Sequence, residues 1–191
     1  MNKSSEITKL LAISLLDGRN RDKVEGVAKY FSEFALIRNR LRIEINYIIF
    51  LSEKTKIVRN LSIKEKKLLE SLWTRFSPTE ALKIKETESE INHDVKAAEY
   101  YLQAKFKSST LKDIIPFIHI GLTSYDINTP AYALMLFEYR KNELLPLFNN
   151  LLAKLKTLIL TCRNIPMLGR THGQPALPTN LGKELAVFYR R

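Results

Sequence analysis

The sequence holds three histidines, at 93, 119 and 172. They bound what imidazole chemistry is open near neutrality, since an unperturbed histidine titrates at about 6.5 and suits general acid or base work. His172 lies in Gly169-Arg170-Thr171-His172-Gly173-Gln174-Pro175, a stretch rich in residues of unusual backbone geometry, with Arg170, Thr171 and Gln174 as potential donors. A proton-transfer role and ordinary loop hydrogen bonding are both open there. His93, followed by Asp94, falls at an expected helix entrance, where anion binding and a solvated cap are both plausible. His119, in Pro116-Phe117-Ile118-His119-Ile120-Gly121, reads as a satisfied core histidine. The run from Gly121 to Asn128 offers the hydroxyls of Thr123 and Ser124 beside expected helix N-terminal amides, a common cradle for a carboxylate and equally a simple capping segment. Arg19, next to Gly18, has the guanidinium fork that clamps phosphate or carboxylate, although a lone exposed arginine is more often only solvated.

Metal chemistry finds little support. No HExxH pattern occurs, and the histidines are far apart in sequence, so neither a metal nor a cofactor is expected. A single cysteine, Cys162, excludes an internal disulfide framework and a cysteine-based zinc cluster and points to a reducing, cytoplasmic setting. Lys and Arg number 31 against 20 for Asp and Glu, a net charge of +11, which draws in anionic partners without naming them. Leu144 to Leu160 is the most apolar late stretch, but Pro146, Asn149, Asn150, Lys154 and Lys156 interrupt it, and no membrane span is expected. At the N-terminus, lysines precede a short apolar run broken by Ser14, with no small-residue cleavage site, so no signal peptide is expected.

The elements that must position these residues read as helices. With 45% hydrophobic residues, six glycines and seven prolines in 191, the composition fits a mostly helical chain with a real core. Asp17 to Asp22 is a polar turn. Phe34, Ile37, Leu41, Ile45 and Ile48 mark a helix from about Ser32 to Glu53, with Arg38, Arg40, Arg42 and Glu44 assigned to its solvated face. Ser62 and Glu65 form a capping box for a helix to about Trp73. Ser77, Pro78 and Glu80 repeat that logic, with Glu80 able to reach back. The polar run Thr87 to Asp94 is expected to interrupt the helical pattern. After it, Val95, Ala98, Leu102 and Phe106 mark another helix, and Ile114, Ile115 and Ile118 a short one. A long helix begins at Ser124 or Asn128 and ends near Cys162, bent at Pro146. Cys162 to Thr179 reads as a proline-rich loop, with Thr179 capping a helix that carries Leu181, Leu185 and Phe188. That helix stops at Arg190-Arg191 without a capping glycine, so the chain reads as part of something larger. The expected fold class is all-α, an N-terminal helical domain over 1–110 followed by the first part of a long-helix bundle over 111–191.

Taken together, Asp17-Gly18-Arg19-Asn20, Asn92-His93-Asp94-Val95-Lys96-Ala97-Ala98-Glu99-Tyr100, Thr123-Ser124-Tyr125-Asp126-Ile127-Asn128 and above all Gly169 to Glu184 resemble the fumarase and aspartase superfamily. Within it they are most similar to the adenylosuccinate lyases of the longer bacterial-type subgroup. The resemblance implies a helical enzyme that assembles as a tetramer, with active sites built from several subunits. It implies release of fumarate from adenylosuccinate and from the matching succinyl-carboxamide ribonucleotide of purine synthesis. It implies His172 as the general acid on the leaving nitrogen, with Thr171 and Gln174 shaping its loop. Thr123 and Ser124 would hold carboxylates, His93 and Asp94 would form a substrate-binding pair, Arg19 would approach the substrate phosphate, and Asn20 would be a further substrate-binding position. The family's general base is a serine on a later mobile loop, so this segment alone is expected to be inactive. Asn20 stands where the family often has tyrosine, and Tyr125 and Thr129 stand where the subgroup has glutamate and asparagine.

Three other readings compete. Another fumarate-releasing lyase of the superfamily differs in whether a nucleotide monophosphate competes with substrate. A basic helical nucleic-acid-binding module accounts for the charge, but the basic residues are scattered and no recognition motif is present, so no nucleic-acid partner is expected. A non-catalytic oligomerisation fragment would owe its role to apolar surface around the last helix.

Overall fold

The computed structural model describes residues 3–191, with side chains from Ile7 onward. Met1 and Asn2, the start of the run read for a signal peptide, lie outside the described residues. The elements are α1 (Lys3–Leu10), α2 (Glu25–Phe31), α3 (Glu33–Lys54), α4 (Ile63–Thr74), α5 (Pro78–Ile91), α6 (Asp94–Lys107), α7 (Ser124–Tyr139), α8 (Leu145–Thr161), the strands β1 (Pro166–Thr171) and β2 (Gln174–Asn180), and α9 (Leu181–Arg190). They form two compact units, Met1–Glu138 and Tyr139–Arg191.

In the first unit α3 is the axis. Ser32 accepts a hydrogen bond from the Ala35 amide at its start, and Ile37, Leu41, Ile45, Ile48 and Leu51 are buried against Leu69 of α4, Ala81 and Ile84 of α5, and Ala97, Ala98, Leu102 and Phe106 of α6. The Ser62–Glu65 capping box is formed in both directions. Ser77 caps α5 through the Glu80 amide with Pro78 in the first turn, but the Glu80 carboxylate does not reach back. It is taken by Lys83, Tyr101 and Lys105 instead, because charged partners and a phenol outcompete one further amide bond.

The polar run Thr87 to Asp94 does not interrupt the helix where expected. α5 continues to Ile91, with Thr87 and Glu88 half-buried and Ser89 and Glu90 exposed, and the chain breaks only at Asn92 in the left-handed conformation (φ 55°). Asparagine tolerates that conformation better than most residues. Nor is α3 basic and solvated along the whole of its charged side: Arg40 and Glu44 are 5% and 1% exposed.

The helical stretch from Ser124 to Thr161 is long, as expected, and its irregularity is a π turn over Arg140–Leu144. There the Leu145 amide bonds the Arg140 carbonyl five residues back. Pro146 follows one residue later, and its missing N–H and its ring account for a local misfit of the ordinary ladder at this place. The same stretch contains an 18-residue window of mean hydropathy 1.2, so it passes a test of length and composition for crossing a bilayer, a test that the core helix of a soluble protein passes as well.

In the second unit, α8 packs on α9, and α9 contacts β2. Gly182 allows the close approach: a Cβ there would lie 2.6 Å from the Ile159 carbonyl oxygen. The segment Cys162 to Thr179 is not a loop. Most of it forms an antiparallel hairpin, with Leu168 opposite Pro178 and Thr171 opposite Gln174. Its prolines are tolerated because each strand has a single neighbour, so an N–H on the outer edge is not missed. Thr179 lies in β2, and the cap of α9 is Asn180, whose side chain accepts from the Lys183 amide at 2.7 Å.

Candidate active site

The first unit brings together two of the motifs. His93 is the N-cap of α6 and accepts the Lys96 amide on Nδ1 at 3.2 Å. Asp94 follows, its Oδ1 accepting the Val95 amide at 2.8 Å and its Oδ2 held by the Arg40 guanidinium. Arg40 Nε also donates to Asn128 Oδ1 at 2.8 Å, and Asn128 lies one helical turn after Ser124 on the same side of α7. One side chain of α3 thus links the start of α6, with His93 and Asp94, to the start of α7, with Thr123 and Ser124.

Asp126 closes the start of α7. Its Oδ2 accepts the Thr123 amide at 2.7 Å and the Thr123 hydroxyl at 3.0 Å. The Thr123 amide chiefly, and then its hydroxyl, hold the Asp126 carboxyl below the usual carboxylate range. For a carboxylate ligand to take the Thr123 hydroxyl proton, it must compete with a carboxylate already in place.

Behind this turn lies a buried cluster. His119, in the left-handed conformation at φ 61°, places Nδ1 2.5 Å from Glu44 Oε1 and Nε2 3.8 Å from Glu99 Oε1, and Lys96 donates to Glu99 at 2.8 Å. The Leu122 amide bonds the His119 carbonyl, so the anchored histidine also begins the turn leading to Thr123. Burial pushes the Glu44 carboxyl up, with the His119 bond opposing the rise. The satisfied core histidine is found, with carboxylates as its partners.

Arg40, Glu44, Glu99 and Asp126 were missed as contributors. The signal for the first two was present: Ile37, Arg40, Leu41, Glu44, Ile45 and Ile48 follow one helical face at spacings of three, four, seven, eight and eleven, and only their charge suggested solvent. Glu99 carried the same signal, since it falls on the stripe of Val95, Ala98, Leu102 and Phe106, and Thr123 to Asp126 has the spacing of a capping box; what neither pattern gives is the partner that another helix brings.

Arg19 and Asn20 lie in the turn after α1. Arg19 is exposed and Asn20 half-buried, with the Asn20 amide bonded to the Leu15 carbonyl at 3.0 Å. Gly18 is required here, since a Cβ would sit 2.8 Å from the Lys9 carbonyl oxygen. No hydrogen bond among the described residues joins Arg19 or Asn20 to His93, Asp94, Thr123 or Ser124.

In the second unit, Thr171, His172 and Gln174 gather at the hairpin tip. His172 and Gly173 have φ of 50° and 72°, positive at both central positions, as the mirror-image turns that suit a two-residue hairpin demand. The imidazole is exposed at the tip, flanked by the paired residues Thr171 and Gln174. Among the described residues no group of His, Cys, Asp and Glu has the arrangement of a metal site.

A mostly helical chain with paired helix starts bearing a carboxylate and hydroxyls, and a histidine held on a hairpin tip, is matched over residues 23–191 by the family described as Lyase. The chain belongs to that family. Among relatives it is 44% identical over 185 residues to the adenylosuccinate lyase of Buchnera aphidicola subsp. Baizongia pistaciae, a match covering 95% of this chain and 40% of that protein. It is 44% identical to the adenylosuccinate lyase of Legionella pneumophila subsp. pneumophila over 97% of this chain and 41% of that one. To that of Escherichia coli K12 it is 38% identical, over 97% and 41%. The chain therefore spans about 40% of the length of these relatives. In structure it resembles the fumarate lyase of Mesorhizobium sp. BNC1, with TM-score 0.69 and 19% identity over 87% of this chain and 37% of that one. It also resembles the beta-carboxy-cis,cis-muconate cycloisomerase of Acinetobacter calcoaceticus, with TM-score 0.63 and 20% identity over the same shares. These likenesses establish the helical fold expected from the sequence, with the hairpin as its exception.

Proposed function

We propose that the chain is the N-terminal part of an adenylosuccinate lyase that releases fumarate from adenylosuccinate, leaving AMP, and from the matching succinyl-aminoimidazole-carboxamide ribonucleotide of purine biosynthesis. The observation that carries this reading is the identity of about 40% over nearly the whole chain to proteins of that name. In this reading residues 1–110 are the N-terminal domain and 111–191 the first part of a bundle that other copies complete, giving a cytoplasmic homotetramer without metal or cofactor.

The chemistry needs three things: removal of a proton from the carbon beside a carboxylate, stabilisation of the charge that grows on that carboxylate, and protonation of the departing nitrogen as the C–N bond breaks. Thr123 and Ser124 take the second task, because donors fixed before the charge appears cost no reorganisation when it does. His172 takes the third as general acid, with Thr171 and Gln174 setting the hairpin tip around it. His93 and Asp94 bind the substrate beside Thr123 and Ser124, Arg19 receives the phosphate, and Asn20 is a further substrate contact. The base that removes the carbon-bound proton belongs to a later part of the enzyme, so residues 1–191 alone turn over no substrate.

The test follows adenylosuccinate cleavage by absorbance in the protein at its full length and in its His172→Ala variant. Cleavage that falls by about 10²- to 10⁴-fold in the variant, the range of a lost general acid, supports the reading. A folded full-length protein without cleavage refutes it, as does fumarate release by the 191-residue segment for the inactivity of the part.

A further inference from the structure

We infer that Arg40 is a positioning residue, whose guanidinium, bonded at once to Asp94 and Asn128, sets the distance between the two helix starts that hold substrate. The inference rests on the proposed function, since it takes His93, Asp94, Thr123 and Ser124 as the substrate-holding set.

Arg40 is an uneconomical choice for packing alone. Its side chain is 7% exposed, on the α3 face whose neighbours Ile37, Leu41 and Ile45 are buried. A buried ion pair often stabilises no more than apolar residues of the same volume would. What an apolar residue cannot do is hold two polar groups of different helices at once. The fork of Arg40 does so: Nη2 takes Asp94 Oδ2 at the first residue of α6, and Nε takes Asn128 Oδ1 at 2.8 Å one turn into α7. Asp94 is thereby fixed at both oxygens, the other accepting the Val95 amide, and its side chain is still 40% exposed. The frame is stiff because α3 is the core helix of its unit. Lysine in place of Arg40 keeps the charge but, as a single point donor on a flexible stem, does not reproduce a planar fork with two fixed directions.

The experiment compares the full-length enzyme with its Arg40→Lys and Arg40→Met variants in adenylosuccinate cleavage, with melting temperature, kcat and KM measured for each. Arg40→Lys is expected to stay folded at the assay temperature while kcat falls and KM rises, with kcat/KM down by about 100-fold, the cost of displacing reacting groups by about 1 Å. Arg40→Met is expected to lose at least as much where it folds. A merely structural Arg40 would give a lower melting temperature and a kcat reduced only by the unfolded fraction, with KM unchanged. That outcome, or parental kcat and KM in Arg40→Lys, overturns the inference and leaves the function standing. A parent enzyme that does not cleave adenylosuccinate overturns both.

Discussion

The carboxylates of the first unit pull its stability in opposite directions with pH. The Arg59 guanidinium, followed by the Ser62 amide and hydroxyl, holds the Glu65 carboxyl at about 2, and Lys105, Lys83 and Tyr101 bring Glu80 to about 2. A lowered folded pKa means that the stabilisation is present above the unfolded value, about 4.3 for glutamate, and is lost as pH falls from there towards 2. Glu44 behaves in the reverse sense, because burial raises its carboxyl. Its contribution is full below the unfolded value and is lost as pH rises through the folded one. Replacing it with the neutral isostere should remove that loss while keeping a group able to bond His119. Glu44→Gln is therefore expected to melt with the parent near pH 4 and progressively above it as pH rises. Melting curves from pH 4 to 9 check this, and a pH-independent difference contradicts it. The cap of α4 gives a second measurement at this scale. Ser62→Ala removes the bond to the Glu65 amide and is expected to cost about 1 kcal/mol, or roughly 2–4 °C in melting temperature for a chain of this size.

At the scale of elements, the hairpin carries the argument. Gly173 at φ 72° sits where an L side chain costs about 1–2 kcal/mol, whereas His172 already bears that cost at φ 50°. Gly173→Ala should loosen the tip that presents His172, and amide exchange across the Thr171–Gln174 end of the hairpin should quicken by about tenfold, leaving α3 and α6 unchanged. Unaltered exchange would show that the turn is not what holds the tip. This element was also the least legible in the sequence. Strands are read from alternating burial, but both faces of this hairpin are largely exposed, and its prolines and glycines carry the composition of a loop. The helices were legible for the opposite reason: Ile37, Leu41, Ile45 and Ile48 bury one face, and that burial writes a period into the chain. Where a buried face uses charge, as at Arg40 and Glu44, the period remains but composition points the wrong way. Candidate site residues were legible as motifs, whereas the bond from Arg40 to Asn128, 88 residues apart, has no trace at any short spacing.

At the scale of the molecule, the two units differ in how their apolar residues are covered. Every hydrophobic residue found buried among the described residues lies at or before Met135. The second unit keeps none: α8 has no buried residue, and Leu147, Leu151, Leu158, Leu160 and Phe188 are 48–72% exposed. Apolar surface of this kind marks an interface, and a helix bundle and a bilayer are the two environments that cover it. The net charge of +11 opposes association between copies at low ionic strength and lets it proceed when salt screens the repulsion. A bundle partner therefore predicts that the 191-residue chain self-associates more strongly as concentration and salt rise, seen as an increasing sedimentation coefficient, with no binding to neutral lipid vesicles. A bilayer partner predicts vesicle binding that persists at high salt, because burial of leucine and phenylalanine side chains is not screened. Nucleic acid as the true partner of the charge predicts neither, but duplex binding that weakens steeply as salt rises through counterion release. The helical fold shared with the solved structures favours the first outcome. A chain that stays monomeric at high concentration and high salt would contradict it.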